Sequence, residues 1–518
     1  MSGERFFSVV GLIDEDLIEE AETADFSRPA AKGWQKWTTL AACAALVCSL
    51  GFAWFVTGGF GGFGSFGGAA SPGLSGSAGG GSTGSNGAAQ FMSYAGPVLP
   101  LTVEEEDASA LAVDRTVELD FTAQAPESSD SSASGAVVTD TYAISNLTSE
   151  PVSYNALYPF AGSLRELPET QPTVAVNGTA VAAQLYAGSY SGGFSSAEQD
   201  DGTSYDLDTL DSWEAYDDLL SDGSYQAQAL AASPPLTQEA TVYTFTDLSA
   251  PTASYPAATQ AVTFTIDQAE TLVLSYGFNG FSWDEETGWY EYSYFVPDGQ
   301  TQYTEPKLLV VLGEDIGGYT LQGYENSSCE TEIQDVSCTV TRSETTLGAV
   351  LKTLAPSFLE QYDGDALRGV PYELYLDAAS QLLTEYGSLA TAPKDRYQLG
   401  QLEDILSEAM AMDRVFYLSV PITLEAGESL ELTAVQYKPA GFDFGCSESE
   451  NVGVEGYDLA TATGSRLAFR SMAATLIPAE GMELVRQNFG FDLAAGITTV
   501  TLDPATERYY LEIKPVSV

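Results

Sequence analysis

The chain contains no histidine among its 518 residues. Its absence removes the commonest general acid/base near neutral pH and the commonest transition-metal ligand. Ser-His-Asp and Cys-His catalysis, histidine-containing zinc sites and phosphohistidine relays are excluded with it. Positive charge is scarce as well, with Lys+Arg 19 against Asp+Glu 73, a formal net charge of -54 and a pI near 4.1. A field of that sign repels phosphate backbones and anionic head groups, which argues against nucleic acid as a partner and against a peripheral polybasic membrane role. Cysteine is limited to five residues. Cys43 and Cys48 sit inside an apolar run, where a thiol behaves as a small hydrophobe. Cys329 and Cys338 could close a strand-turn-strand loop as a disulfide in an oxidising compartment, leaving Cys446 unpaired, although sequence does not give the Cα separation that the bond requires. No catalytic motif emerges, so no enzyme activity, cofactor or metal is assigned.

Apolar residues nonetheless make up 44% of the chain, with 28 Tyr and 24 Phe, too rich a composition for a disordered acidic polymer. A folded core is expected. One uncharged stretch, Trp37 to Val56, has the roughly 20 residues that an α-helix needs to cross about 30 Å of hydrocarbon. Arg28, Lys32 and Lys36 precede it, and no basic residue follows until Arg115. A short-range Lys/Arg excess marks the cytoplasmic side, so residues 1–36 are expected inside and the long remainder outside. A cleaved signal peptide is the alternative. Against it stand the long acidic head, the length of the apolar run and the lack of a well-placed small-x-small cleavage site.

These features divide the chain into a cytosolic head over 1–36, a transmembrane helix over 37–57, a Gly/Ser-rich linker over 58–90 and an extracytoplasmic region beyond. In the head, Phe6, Val9, Val10, Ile13, Leu17 and Ala21 recur at spacings of three and four. On a helix they form one apolar stripe. Acids crowd its C-terminal half, where the helix dipole disfavours them, so the helix is marginal alone. Such a stripe suits a partner's groove, with Phe6, Val10, Ile13, Leu17 and Ala21 as the contacts; a topogenic stub is the other reading. In the span, Ala41, Ala45, Ser49 and Ala53 form a small-xxx-small stripe that would allow a homodimer. The linker reads as a flexible tether.

From about Phe91 the pattern is β. Asp114 to Ala123, Val137 to Leu147 and Val152 to Phe160 alternate apolar and polar residues. Val174 to Val176, Asn177-Gly178 and Ala180 to Tyr186 give the strongest hairpin signal, since Asn-Gly supplies the positive-φ pair of a type I′ turn. Further strands are expected at 240–245, 261–266, 271–276, 289–296, 307–312 and 336–341. Helical periodicity follows at Leu347 to Tyr362, Pro371 to Tyr386 and Leu399 to Met412. Two strands at 416–436 and others at 466–477, 498–502 and 509–513 end the chain. The fold class is therefore mainly β, an antiparallel β-sandwich-type outer domain over 91–345 and 414–518, with a small helical insertion over 346–413.

Several constellations invite chemistry. The acidic stretch from Gly188 to Pro235 holds Asp206, Asp208 and Asp211, but lacks the third ligand and the glycine of an EF-hand spacing, so it reads as a solvated loop with a short helix near Trp213 to Leu220. Trp283-Asp284-Glu285-Glu286-Thr287-Gly288-Trp289 sets carboxylates between tryptophans, a composition seen at sugar-binding sites. Adjacent carboxylates on a turn do not make the opposed pair of a glycosidase, and sheet packing is the plainer account. Leu167-Pro168-Glu169-Thr170 continues with Gln171 and has no apolar stretch after it, so it is not a sorting signal. The Asn-x-Ser/Thr triplets at Asn146, Asn177 and Asn326 read as turn chemistry.

Ile13-Asp14-Glu15-Asp16-Leu17-Ile18-Glu19-Glu20-Ala21, then Trp34-Gln35-Lys36-Trp37 running into Leu40-Ala41-Ala42-Cys43, resembles the N-terminus of single-pass membrane proteins of Gram-positive bacteria. Some of these are similar to regulators that hold an extracytoplasmic-function sigma factor at the membrane. The resemblance covers about the first 50 residues. It implies a cell-membrane location with the N-terminus cytoplasmic, and a sigma-factor-like cytosolic partner for the head. The zinc-type members of that group use a His and paired Cys that this head lacks. Tyr142-Ala143-Ile144-Ser145-Asn146 with Tyr158-Pro159-Phe160, and Glu425-Ala426-Gly427-Glu428-Ser429 before Tyr437, resemble clostridial-type exported β domains and imply structure without an activity. Together they imply either a membrane-tethered regulator whose outer domain senses or binds at the envelope, or a surface-binding module with no regulatory role.

Overall fold

The computed structural model describes residues 94–123, 135–189, 210, 212–231, 235–296, 306–362, 370–390, 400–440, 442–443 and 453–514. The head with Phe6, Val10, Ile13, Leu17 and Ala21, the Trp37–Val56 run, the 58–90 linker, Cys446 and the acids Asp200 to Asp208 and Asp211 lie outside those residues. Among the described residues no helix is long and apolar enough to cross a membrane.

The fold is mainly β, with five sheets among the described residues. The largest has seven strands in the order Thr499–Leu502, Phe469–Ile477, Leu111–Asp120, Gly135–Asn146, Ser429–Pro439, Thr173–Val176 and Thr179–Ala180. Alternation builds it: in Ser429–Pro439, Leu430, Leu432 and Ala434 point inward while Ser429 and Glu431 face solvent. Its strands are antiparallel except that Phe469–Ile477 runs parallel to Leu111–Asp120. That departs from the purely antiparallel expectation, because residues 461–468 cross over from a facing sheet instead of turning back as a hairpin.

Two four-stranded sheets cover this long sheet. One, in the order Thr102–Val103, Val152–Gly162, Arg414–Leu424 and Gln184–Ala187, packs Tyr158, Phe160, Phe416 and Leu418 with Tyr142, Ile144 and Leu432. The other, Phe442–Asp443, Glu455–Ala460, Arg508–Lys514 and Glu483–Gln487, packs Leu459, Leu511 and Ile513 with Val117, Val138 and Leu476. Val98 links the covering sheets: it bridges Leu459 in one, and four residues later Thr102 pairs with Leu157 in the other. The acidic stretch contributes a helix over Trp213–Leu220 as expected, but not a solvated one. Trp213, Tyr216 and Leu220 are buried with Leu157, Val415 and Tyr417, and the Thr463 hydroxyl donates to Asp217 at 2.7 Å.

A second sandwich pairs the sheet Thr271–Tyr276, Lys307–Gly313, Glu239–Ser249, Ser337–Thr346 with the sheet Gly280–Asp284, Trp289–Phe295, Thr259–Thr265, Thr320–Tyr324, Glu332–Ile333. Tyr243, Phe245, Leu309, Val262, Phe264 and Tyr294 fill the space between them. The reverse face of the first sheet, with Val242, Leu308 and Val310, joins a core shared with helices Leu347–Tyr362, Tyr372–Gln381 and Leu402–Ala411. Burial on both faces explains the unbroken apolar run Leu308 to Leu312.

The Asn177-Gly178 turn has φ of 49° and 72°, the positive pair that type I′ requires, between Thr173–Val176 and Thr179–Ala180. The second strand does not run on to Tyr186. The chain leaves the long sheet, and Gln184–Ala187 pairs instead with Arg414–Leu424, where Leu185 and Ala187 reach the main core.

A buried ion pair fastens the first sandwich. Arg115 and Asp140 are both 0% exposed; the guanidinium donates from Nε to Oδ1 at 3.0 Å and from Nη2 to Oδ2 at 2.7 Å. Nη1 donates across the core to the Ala460 carbonyl at 2.6 Å. Tyr142 donates its hydroxyl to Asp140 at 2.7 Å and accepts the Leu101 N–H at 2.9 Å. Removing one partner of such a pair leaves a buried charge without its counterion. Arg115→Ala is expected to lower unfolding free energy by about 3–5 kcal/mol, read as a shift in the urea midpoint at constant slope.

Glu403, in the first turn of Leu402–Ala411, accepts the Gly277 N–H, while Lys307 donates to the Gly277 carbonyl at 3.0 Å. Burial pushes this carboxyl from 4.5 to about 7, with the Gly277 N–H pulling the other way. The folded chain therefore keeps a proton that the unfolded chain releases, and the associated stability is full below the unfolded value and is lost as pH rises through about 7. Glu403→Gln is expected to flatten the fall in urea midpoint between those two pH values.

Candidate functional site

The Trp283–Trp289 segment forms the tip of a hairpin between Gly280–Asp284 and Trp289–Phe295. Phe281 pairs with Tyr292 and Trp283 with Tyr290, so four rings share one face of the sheet. Phe264, opposite Tyr290 on the next strand, extends the row with its ring 5.9 Å away and 4° from parallel. Tyr292 is 1% exposed and in the core; Trp283 is 50% exposed. Between them, Phe281 lies 4.7 Å from Tyr292 and stacks on Trp283 at 5.1 Å and 13°. The row of rings thus begins inside the second sandwich and ends in solvent, with its outermost indole held by the ring behind it.

Local chemistry fixes the turn. Asp284 Oδ1 accepts the N–H groups of Glu286 at 2.9 Å and Thr287 at 3.1 Å, and Gly288 donates to the Asp284 carbonyl at 2.9 Å. Gly288 has φ of 67°, and a Cβ there would lie 2.1 Å from the Ile266 carbonyl oxygen, so a side chain is excluded. Asp284 is committed to the turn, whereas Glu285 and Glu286 are exposed. Burial raises the Tyr290 phenol, and the Glu285 carboxylate adds to the shift, which sets that charge beside the aromatic face. Neighbouring glutamates on a convex tip do not face each other across a cleft. The arrangement suits stacking and charge recognition, not glycoside hydrolysis.

The opposite face carries Trp289, Glu291 and Ser293. Cys329 lies on this side, where burial raises its thiol to about 11, with the Glu291 carboxylate adding and the Ser293 hydroxyl opposing. Cys338 meets Tyr294, the next residue along the strand and therefore on the other face, within the aromatic core. Both thiols are free. The disulfide that the sequence left open is not formed: the two thiols meet residues on opposite faces of the strand Trp289–Phe295.

The other sequence candidates are structural. Asn146 is buried; its amide donates to the carbonyls of Glu150 and Glu425 at 2.8 and 3.0 Å, and its oxygen accepts the Thr148 N–H at 2.9 Å. Asn326 accepts from Ser328 in the same manner, and Asn177 accepts the Glu431 N–H. Leu167–Thr170 is a single helical turn with Leu167 buried. An open depression of 750 Å³ beside Glu483–Gln487 is lined by Leu484, Phe491, Leu493 and Tyr510, and its Arg486 is held by Glu512 at 2.6 Å. Among the described residues no group of three or more Cys, Asp or Glu could hold a metal ion.

The strand Gly280–Asp284, which supplies Phe281 and Trp283, is not among the strands read from sequence. It is five residues long and starts at Asn279-Gly280, so it looks like a loop. The usable signal was the matching alternation of Phe281/Trp283 and Tyr290/Tyr292. No protein-family model matches the chain, and no curated protein or solved structure matches it.

Peptide mapping under non-reducing conditions should recover Cys329 and Cys338 as separate alkylated peptides after unfolding. In the native protein Cys329 should alkylate slowly at pH 8, since little thiolate exists that far below about 11.

Proposed function

We propose that this is a single-pass membrane protein that displays a β-rich binding domain on the outside of the cell. The uncharged Trp37–Val56 run, with Arg28, Lys32 and Lys36 on one side of it, carries this reading. The Gly/Ser-rich linker over 58–90 sets the domain off from the span, and the exposed Trp283, stacked on Phe281, gives the domain a face suited to binding. The net charge of -54 keeps that domain away from anionic head groups, so its partner is reached in the envelope and not on the lipid surface.

A regulatory role is favoured by one further feature, the apolar stripe Phe6, Val10, Ile13, Leu17 and Ala21 in the head, which suits docking to a cytosolic, sigma-factor-like protein. Ala41, Ala45, Ser49 and Ala53 would let two spans associate, so a signal would cross by association of chains.

Protease added to intact cells should digest the outer domain and spare the head, and the span should stay with the membrane under alkaline extraction. Digestion of the head with the outer domain protected, or release by alkali, would overturn the topology. Loss of a co-purifying sigma factor on Ile13→Asp in the full-length chain would support the regulatory reading, and its unchanged recovery would refute it.

A further inference from the structure

We infer that the Gly280–Asp284 edge and its Trp283 ledge take an extended, lysine-bearing peptide segment as an added strand. The inference names a partner for the face invoked above and rests on that reading only for where the two meet.

The edge is open. Gly280–Asp284 is the outermost strand of its sheet, and among the described residues no strand pairs with its outer side. Several other sheet edges in the fold are blunted. Glu483–Gln487 has a bulge at Val485, Ser337–Thr346 carries Arg342 paired with Asp315 and Glu344, and Thr271–Tyr276 is bridged at Ser275 to Gln401. Thr102–Val103, Thr179–Ala180 and Glu332–Ile333 have two residues each. Gly280–Asp284 has no bulge, proline or lysine, and it exposes a tryptophan instead. Its unpaired backbone groups are a template for main-chain hydrogen bonds, and the alternate side chains of an added strand fall on the ring-bearing face.

Charge selects the partner. Glu285 and Glu286 stand exposed at the tip, and the basic residues between 235 and 346 are committed elsewhere: Lys307 is buried on the Gly277 carbonyl, and Arg342 is held by Asp315 and Glu344. No ion pair involves the tip among the described residues. An ammonium beside Glu285 would also lie against the indole of Trp283 or the ring of Tyr290, where the quadrupole attracts a cation. The rigid stack behind Trp283 means that this anchor loses little freedom on binding.

The test uses the full-length purified chain and a labelled synthetic peptide alternating lysine and threonine, followed by fluorescence anisotropy. Saturable binding is expected, weakened by about thirtyfold or more in Trp283→Ala. Glu285→Gln with Glu286→Gln should weaken it further, and the alternating glutamate-threonine peptide should not bind. Unchanged thermal unfolding of Trp283→Ala would show that the exposed substitution leaves the fold intact. Binding insensitive to Trp283→Ala would be general attraction to an acidic chain and would overturn the inference, as would no saturable binding. Equal affinity for free choline would replace the strand with a small ammonium ligand, and binding of a neutral glycan in preference to the peptide would replace it with a sugar. Protease protection on cells reports separately on topology, so failure of the membrane reading and failure of the site are told apart.

Discussion

The Arg115–Asp140 pair is the constraint around which the first sandwich closes. The long sheet is wider than either sheet that covers it, and the covering layer consists of two sheets joined through Val98 to Val103. At that junction the backbone has carbonyls and N–H groups with no strand partner. The guanidinium reaches the Ala460 carbonyl, and Tyr142, held by Asp140, takes the Leu101 N–H. A buried ion pair gains little net free energy over apolar packing, because desolvation offsets attraction. What it does is tie two segments of the junction at once, the guanidinium holding the Ala460 carbonyl while the carboxylate, through Tyr142, holds the Leu101 N–H. Asp458 plays a similar part on the reverse side, accepting from Tyr94 at 2.7 Å and Arg508 at 3.0 Å.

Tyrosine makes such closures possible in a chain with so few cations. A buried phenol fills core volume as an aromatic ring and still offers a polar atom. Tyr225 donates to the Ser189 carbonyl at 2.8 Å and accepts the Val415 N–H at 3.0 Å, tying a helix to a sheet. Tyr375 donates to the Leu406 carbonyl between two helices at 3.0 Å, and Tyr294 donates to Gln260 at 2.6 Å within the second sandwich. Burial raises the phenols of Tyr142, Tyr158 and Tyr216 well above their ordinary range, so they stay neutral throughout the physiological window; Tyr142 donates to Asp140, and Tyr158 accepts from the Gln436 amide at 3.2 Å. The same preference produces the row of rings that ends at Trp283.

Much of the fold was legible because it rests on period-two alternation and on one turn dipeptide. Gly135–Asn146, Thr271–Tyr276 and Arg508–Lys514 stand within a few residues of their expected places, and Asn177-Gly178 has the required geometry. Helices Leu347–Tyr362 and Leu402–Ala411 follow from their apolar spacing. Glu455–Ala460 was missed, since an acid at Asp458 breaks the pattern; its burial depends on Tyr94 and Arg508, both remote in sequence. The parallel entry of Phe469–Ile477 was illegible for a related reason, because strand direction is set by a crossover between sheets and leaves no local mark. At the hairpin tip the composition was visible, but its meaning depended on burial: Tyr292 inside, Trp283 outside and the two thiols on opposite faces.

The charge economy limits what the outer surface can recognise. Arg115, Arg414, Lys307 and Lys438 are buried, while Arg342, Arg470, Arg486 and Arg508 are ion-paired. Only Arg165, Lys352, Arg466 and Lys514 add to these among the described residues, a small positive charge against the many acids. A strongly acidic surface draws cations from several directions, yet salt screens that attraction beyond about 10 Å at 0.1 M, and attraction without geometry does not discriminate. Discrimination requires a fixed apolar contact next to the charge. The Phe281–Trp283 stack provides one beside Glu285, and it is anchored through the buried Tyr292 in the core of the second sandwich. The long-range field can gather basic partners, and the aromatic ledge can then select among them by shape.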